Sequence, residues 1–88
     1  MRIILSPKAE KQLRKLPRID QVALVRKIRA IKDEKDVSQV ERLRGFKNIF
    51  RVRVADYRIV YKRIADEIYV VIIGHRKDIY KVLARLLG

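Results

Sequence analysis

Between positions 50 and 63 the chain reads FRVRVADYRIVYKR. Arg51, Arg53 and Arg58 stand there among aliphatic and aromatic residues, and Lys62 follows. A guanidinium stays protonated at neutral pH and presents a planar fork of donors that matches phosphate oxygens. Such residues are poor bases. What they do well is hold an anion and offset charge that develops on it. If the stretch is a hairpin with a two-residue turn at Ala55-Asp56, Val54 stands opposite Tyr57, Arg53 opposite Arg58, Val52 opposite Ile59, Arg51 opposite Val60 and Phe50 opposite Tyr61. One face is then apolar, and the other carries Arg51, Arg53, Arg58, Val60 and Lys62. Like charges set directly opposite cost on the order of a few tenths of a kcal/mol. A phosphate lying across them turns that cost into binding. A three-residue turn would instead place Arg53 and Arg58 on opposite faces, and Ala-Asp is not a favoured two-residue turn. A solvated outer face, with no ligand, is the plainer alternative.

A second group follows in GHRKDIY, residues 74–80. Arg76 lies just beyond Gly74, where an apolar run over 68–73 stops. Tyr80 sits about 100° around a helix from Ile79, off the centre of the buried stripe, so it can project toward the sheet edge. His75 has strand parity opposite to Arg76, which makes it the weaker candidate of the three.

These residues belong to a chain of 88 residues with 23 Lys and Arg against 10 Asp and Glu, a net charge of +13. That excess goes far beyond what solubility needs and points first to nucleic acid, then to an anionic membrane surface or an acidic protein. There is no cysteine and one histidine, so no disulfide or thiolate site is expected, nor any metal or other cofactor. No apolar run is long enough to span a membrane. The three aliphatics before Ser6-Pro7 are too few for a signal peptide, so the expected location is cytoplasmic.

The elements that must position the basic residues are readable in outline. A short strand at 2–5 precedes Ser6-Pro7, a helix start with a capping serine and a proline at the first helical position. Ala9, Leu13 and Leu16 share a face, and Pro17 ends the helix. A second helix is expected over 19–35, its apolar stripe formed by Val22, Val25, Ile28 and Ile31 with Leu24 alongside. Residues 37–49 carry weaker signals, read as a short helical turn followed by loop punctuation at Gly45 and Asn48. From Phe50 the period becomes two, giving strands over 50–54, 57–62 and 68–73, with Gly74 breaking the last one. Asp78 would cap a final helix with a stripe of Ile79, Val82, Leu83, Leu86 and Leu87. The expectation is one α+β domain over 1–88 in the order β-α-α-β-β-β-α, with a small, mostly antiparallel sheet.

The segments ERLRGFKNIFRVRVADYRIVYK and VVIIGHRKDIY, in this order of elements, resemble the RelE/ParE superfamily of toxins from type II toxin–antitoxin systems. The resemblance spans essentially the whole chain and favours the RelE branch. It implies a metal-independent endoribonuclease that cuts mRNA on the ribosome by attack of a ribose 2′-OH on the adjacent phosphorus. It also implies a cognate antitoxin, and toxicity through arrested translation. Carried over residue by residue, the family's basic positions fall on Arg51 and Arg53 of one strand and Arg58 of the next. The arginine after the last strand is Arg76, and the tyrosine opening the final helix is Tyr80. Arg58, Arg76 and Tyr80 are then the catalytic set, with Arg51, Arg53, Lys62 and His75 binding RNA. One departure is chemical. The RelE pattern has lysines at the two second-strand positions, one of which can act as base, whereas an arginine cannot readily do so. Tyr80 and His75 are left as candidates for the base. Two other readings stay open: a ParE-like inhibitor of DNA gyrase, and a basic nucleic-acid-binding module without catalysis.

Overall fold

Ser6 sets the first corner of the molecule. Its Oγ accepts a hydrogen bond from the Ala9 N–H at 2.9 Å and donates one to the Val71 carbonyl at 2.7 Å. One side chain thus caps a helix and pins it to a central strand. The computed structural model describes residues 2–35, 39–75, 79, 81, 84 and 85. Strand β1 (Arg2–Leu5) leads into helices α1 (Pro7–Arg14) and α2 (Arg18–Lys32), followed by β2 (Val40–Arg42), β3 (Ile49–Val54), β4 (Tyr57–Ile64) and β5 (Glu67–His75). The sheet order is β1-β5-β4-β3-β2. β1 runs parallel to β5, and the other neighbours are antiparallel. The parallel pair needs a long crossover, which the helices and the remaining strands supply.

The helices cover one face. Ala9 from α1 and Leu24, Ile28 and Ile31 from α2 pack on Val52, Ile59, Tyr61, Ile68, Val70 and Ile73. Phe50 and Tyr61 stack there with centroids 5.4 Å apart. Gln21 ties the two helices by donating to the Leu16 carbonyl at 2.8 Å. Gln12 accepts the Ile73 N–H at 2.9 Å, satisfying a β5 group that lies beyond the end of β1. A second, smaller cluster of Ile49, Val60, Ile72 and Ile79 lies on the opposite face. The apolar run in β5 is therefore buried from both sides, as its composition indicates.

The class is α+β as read from the sequence, with several corrections to the elements. Residues 40–42 form a strand rather than a helical turn: Val40 pairs with Val52 and Glu41 with Arg51. Three residues are too few to display a period, so only the partner strand reveals it. Helix α2 is centred on Leu24, Ile28 and Ile31, while Val22 and Ile19 are exposed. The buried stripe is thus rotated from the one expected. Gly74 does not end its strand, which continues to His75. A Cβ built on Gly74 would lie 4.0 Å from that of Ile79, an ordinary contact, so the glycine is not required here by close approach. Of the expected last helix, Ile79, Lys81, Ala84 and Arg85 have helical backbone, and Ile79 is buried. Asp78, Val82, Leu83, Leu86 and Leu87 lie outside the described residues. No helix among the described residues is long and apolar enough to cross a membrane.

Candidate nucleic-acid interface

The β3–β4 hairpin has the two-residue turn. Val54 pairs with Tyr57, Arg53 with Arg58, Val52 with Ile59, Arg51 with Val60 and Phe50 with Tyr61. The turn opens with a left-handed residue, Ala55 at φ 53°. That conformation costs a residue with a Cβ roughly 1–2 kcal/mol, and it sets the arginines in register. Because side chains alternate across a strand, Arg51, Arg53, Arg58, Val60 and Lys62 share the face turned away from the helices.

Across this face, Arg53 and Arg58 form the row nearest the turn, with Gly74 on the far side of Arg58. Arg58 is half-buried, and its Nε is buried without a hydrogen-bond partner among the described residues. Buried donors rarely stay unpaired, and leaving one so costs about 1–3 kcal/mol. Arg53 is exposed and turns its Nε toward the Ala55 carbonyl at 3.2 Å. The next row holds Glu41, Arg51, Val60 and Ile72. Lys62 follows beside Ile49 and Tyr69, four residues from Arg58 and so about 13 Å along the strand.

Glu41 is the residue of this face that the sequence reading missed. Arg51 donates to its Oε2 from Nη2 at 2.8 Å and from Nε at 3.3 Å. That hydrogen bonding, followed by the charge of Arg51, holds the Glu41 carboxyl below its ordinary value; desolvation opposes this, and Arg58 adds to it more weakly. The only trace in the sequence is a single valine before the glutamate, too little to place it opposite an arginine.

His75 stands apart. It pairs with Tyr57 on the helix side of the sheet, the two rings edge to face at 6.2 Å. The Tyr57 hydroxyl donates to Asp20 Oδ2 at 3.2 Å; partial burial, then this bond, raise the Tyr57 hydroxyl above its usual value. Arg63 also lies on the helix side, paired to Glu34 at 2.7 Å. Thus Arg51, Arg53, Arg58 and Lys62 share one face of the sheet, Lys62 at its far end, and His75 does not join them. Arg76 and Tyr80 lie outside the described residues. Among the described residues, no three His, Cys, Asp or Glu side chains gather in a metal-binding group.

As it stands, the face offers guanidinium donors to an anion, and among the described residues Glu41 is the carboxylate at its margin. Small toxins are among the solved structures of similar fold. A RelB–RelE antitoxin–toxin complex from Methanococcus jannaschii superposes with a TM-score of 0.74 at 22% identity, over 90% of this chain and 96% of that one. The isolated E. coli RelE toxin gives 0.73 at 21% identity, over 98% and 97%. The YoeB dimer from Staphylococcus aureus gives 0.72 at 14% identity, over 86% and 97%. Curated protein sequences give no significant match. Residues 3–80 match the model of a family described as the ParE toxin of type II toxin–antitoxin system, parDE. With that match over most of its length and a RelE-like fold, the chain belongs to the ParE toxin family, within the RelE/ParE superfamily of toxins.

Proposed function

We propose that this toxin acts as a RelE-like, ribosome-dependent endoribonuclease on mRNA and that a cognate antitoxin restrains it. The observation that carries this reading is the Arg53–Arg58 row, two cations set face to face with a buried, unpaired Nε on one of them. A folded sheet gains nothing from two facing cations, and a phosphodiester lying across the row offsets their mutual repulsion. In the reaction, the ribose 2′-oxygen attacks the adjacent phosphorus and the bond to the 5′-oxygen breaks. A 2′,3′-cyclic phosphate forms on one product and a 5′-hydroxyl on the other. The 2′-OH proton must leave to a base, and a proton must reach the departing 5′-oxygen. Arg58 and Arg76 stabilise charge on the phosphoryl oxygens, Arg51, Arg53 and Lys62 hold flanking phosphates, and Tyr80 positions the substrate. No step requires a metal, because guanidinium groups offset the developing charge.

With His75 on the other side of the sheet, Glu41 is the described group of this face that can take a proton at neutral pH. Its ion pair with Arg51 keeps it ionised. The same pair lowers its basicity, so proton removal is the slow part of a mainly electrostatic mechanism. The antitoxin proposal draws support from the RelB-bound structures of similar fold. A toxin that instead blocked gyrase through a protein contact would leave the facing arginines without a role. Induction in cells, with primer extension on ribosome-bound mRNA alongside a supercoiling assay, separates the two readings. Cuts within translated codons are expected, with supercoiling intact. Loss of supercoiling without cuts would replace the RNase reading with the gyrase one.

A further inference from the structure

The arginine face does not stop at the edge of the sheet. β2 pairs only with the Phe50–Val52 part of β3, so no described strand flanks Arg53 and Val54 on their outer side. There α2 comes alongside. Ala23, Arg26, Lys27 and Ala30, spaced i, i+3, i+4 and i+7 on one side of the helix, line a cleft with Arg53 and Val54. It is shallow and open to solvent, with a volume of about 410 Å³. The two alanines keep the floor open, where longer side chains would close it. Three of the six lining residues are cationic and none is acidic. Asp20, one turn earlier on α2, already accepts the Tyr57 hydroxyl. No aromatic ring lines the cleft, so it offers nothing for a base to stack on. Its chemistry suits a phosphodiester backbone.

We infer that Arg53 is a corner at which the bound RNA strand turns from the sheet face into this α2 cleft, and that Arg26 and Lys27 hold its flanking phosphates there. This rests on the RNase reading and extends it: the toxin grips a strand longer than the cleaved dinucleotide. Arg53 is suited to the corner, since it faces Arg58 on the sheet and also borders the cleft.

The test is binding of the purified protein to single-stranded 2′-O-methyl RNA, which cannot supply the attacking hydroxyl, at lengths of about four and about twelve nucleotides. Each phosphate contact to a single strand adds roughly 0.7 to the slope of log affinity against log salt. The longer strand should therefore show a slope steeper by about 1.4 than the shorter one. Arg26→Ala with Lys27→Ala should reduce it to that of the short strand and leave the short strand unaffected. Arg26→Glu, at an exposed position, should weaken only the longer strand, by about tenfold at low salt, and guards against a packing defect at half-buried Lys27. Equal slopes for both lengths in the unaltered protein would overturn the inference. So would variants that weaken binding of poly-glutamate but not of RNA, which assigns the cleft to an acidic protein. If neither strand binds and Arg58→Ala changes nothing, the RNase reading falls with it. If the short strand binds through Arg58 but length is immaterial, only the cleft is lost.

Discussion

At the scale of single residues, the proposed RNA-binding role and stability pull in opposite directions on the arginine face. Arg58 carries an N–H that is buried and unpaired among the described residues, opposite another cation. Arg58→Met keeps an unbranched apolar stem and removes both the charge and the orphaned donor. It should raise stability by about 1 kcal/mol, read by denaturant melts, and weaken RNA binding in the same preparation. Arg53→Ala, at an exposed position, should shift stability by no more than a few tenths of a kcal/mol, and upward if at all. A melt as damaged as that of a core variant would mean the side chain does structural work. Glu41 makes a pH prediction. Its carboxyl is held below the ordinary value by Arg51, so it is ionised throughout the neutral and mildly acidic range. Any stability it contributes is present above its unfolded value and lost only as pH falls through the lowered folded one. If it is the base, cleavage should show no acid limb from it between about pH 5 and 8, and Glu41→Gln should slow single-turnover cleavage while leaving RNA affinity equal or higher. A rate unchanged by that substitution removes Glu41 from the chemistry. None of this was readable around position 41, where one glutamate among basic residues gives no hint of the strand opposite.

At the scale of elements, the hairpin was legible and its surroundings only in part. Alternation from Phe50 to Tyr61 placed the apolar and basic faces, because a strand buried on one side fixes its register. The unfavoured turn was the open question, and it is resolved by strain: Ala55 and Ala65, which open the two hairpin turns, both take positive φ, at 53° and 48°. Glycine adopts that region without penalty. Ala55→Gly and Ala65→Gly should each stabilise the protein by roughly 0.5–1 kcal/mol, after the extra flexibility glycine brings to the unfolded chain. Thermal melts check this directly, and destabilisation by both would refute the turn geometry. Ile59→Ala, fully buried under the helices, should cost about 2–5 kcal/mol. The capping role of Ser6 was written in Ser-Pro, since the chemistry is local. The rotation of α2 was not, because Val22 and Leu24 are equally apolar and only packing decides between them. β2 was hidden for the same reason: its hydrogen bonds depend on a partner strand rather than on its own three residues.

At the scale of the whole molecule, the two faces of the sheet differ in what covers them. The helices and the larger core occupy one side, and the other carries Arg51, Arg53, Arg58 and Lys62 beside a smaller apolar cluster, while further cations line the helices themselves. The composition announced the excess of cations through its charge of +13, without saying where they lie. Topology supplies the place, since the sheet order puts the β3–β4 hairpin between β5 and the short β2. The shared face of Arg51, Arg53, Arg58 and Lys62 was legible because one hairpin provides it. The neighbours brought by distant segments, Glu41 and the α2 residues beside Arg53, were not. The proposal that this face cuts RNA is decided by single-turnover cleavage of mRNA on programmed ribosomes, comparing the unaltered toxin with Arg58→Ala. Cleavage by the unaltered toxin is expected, with a rate lower by about 10²–10³ in the variant, as for loss of one positioned donor to a developing oxyanion, and with the fold retained by circular dichroism. Equal cleavage by both proteins, or none by either while gyrase is inhibited, would contradict it.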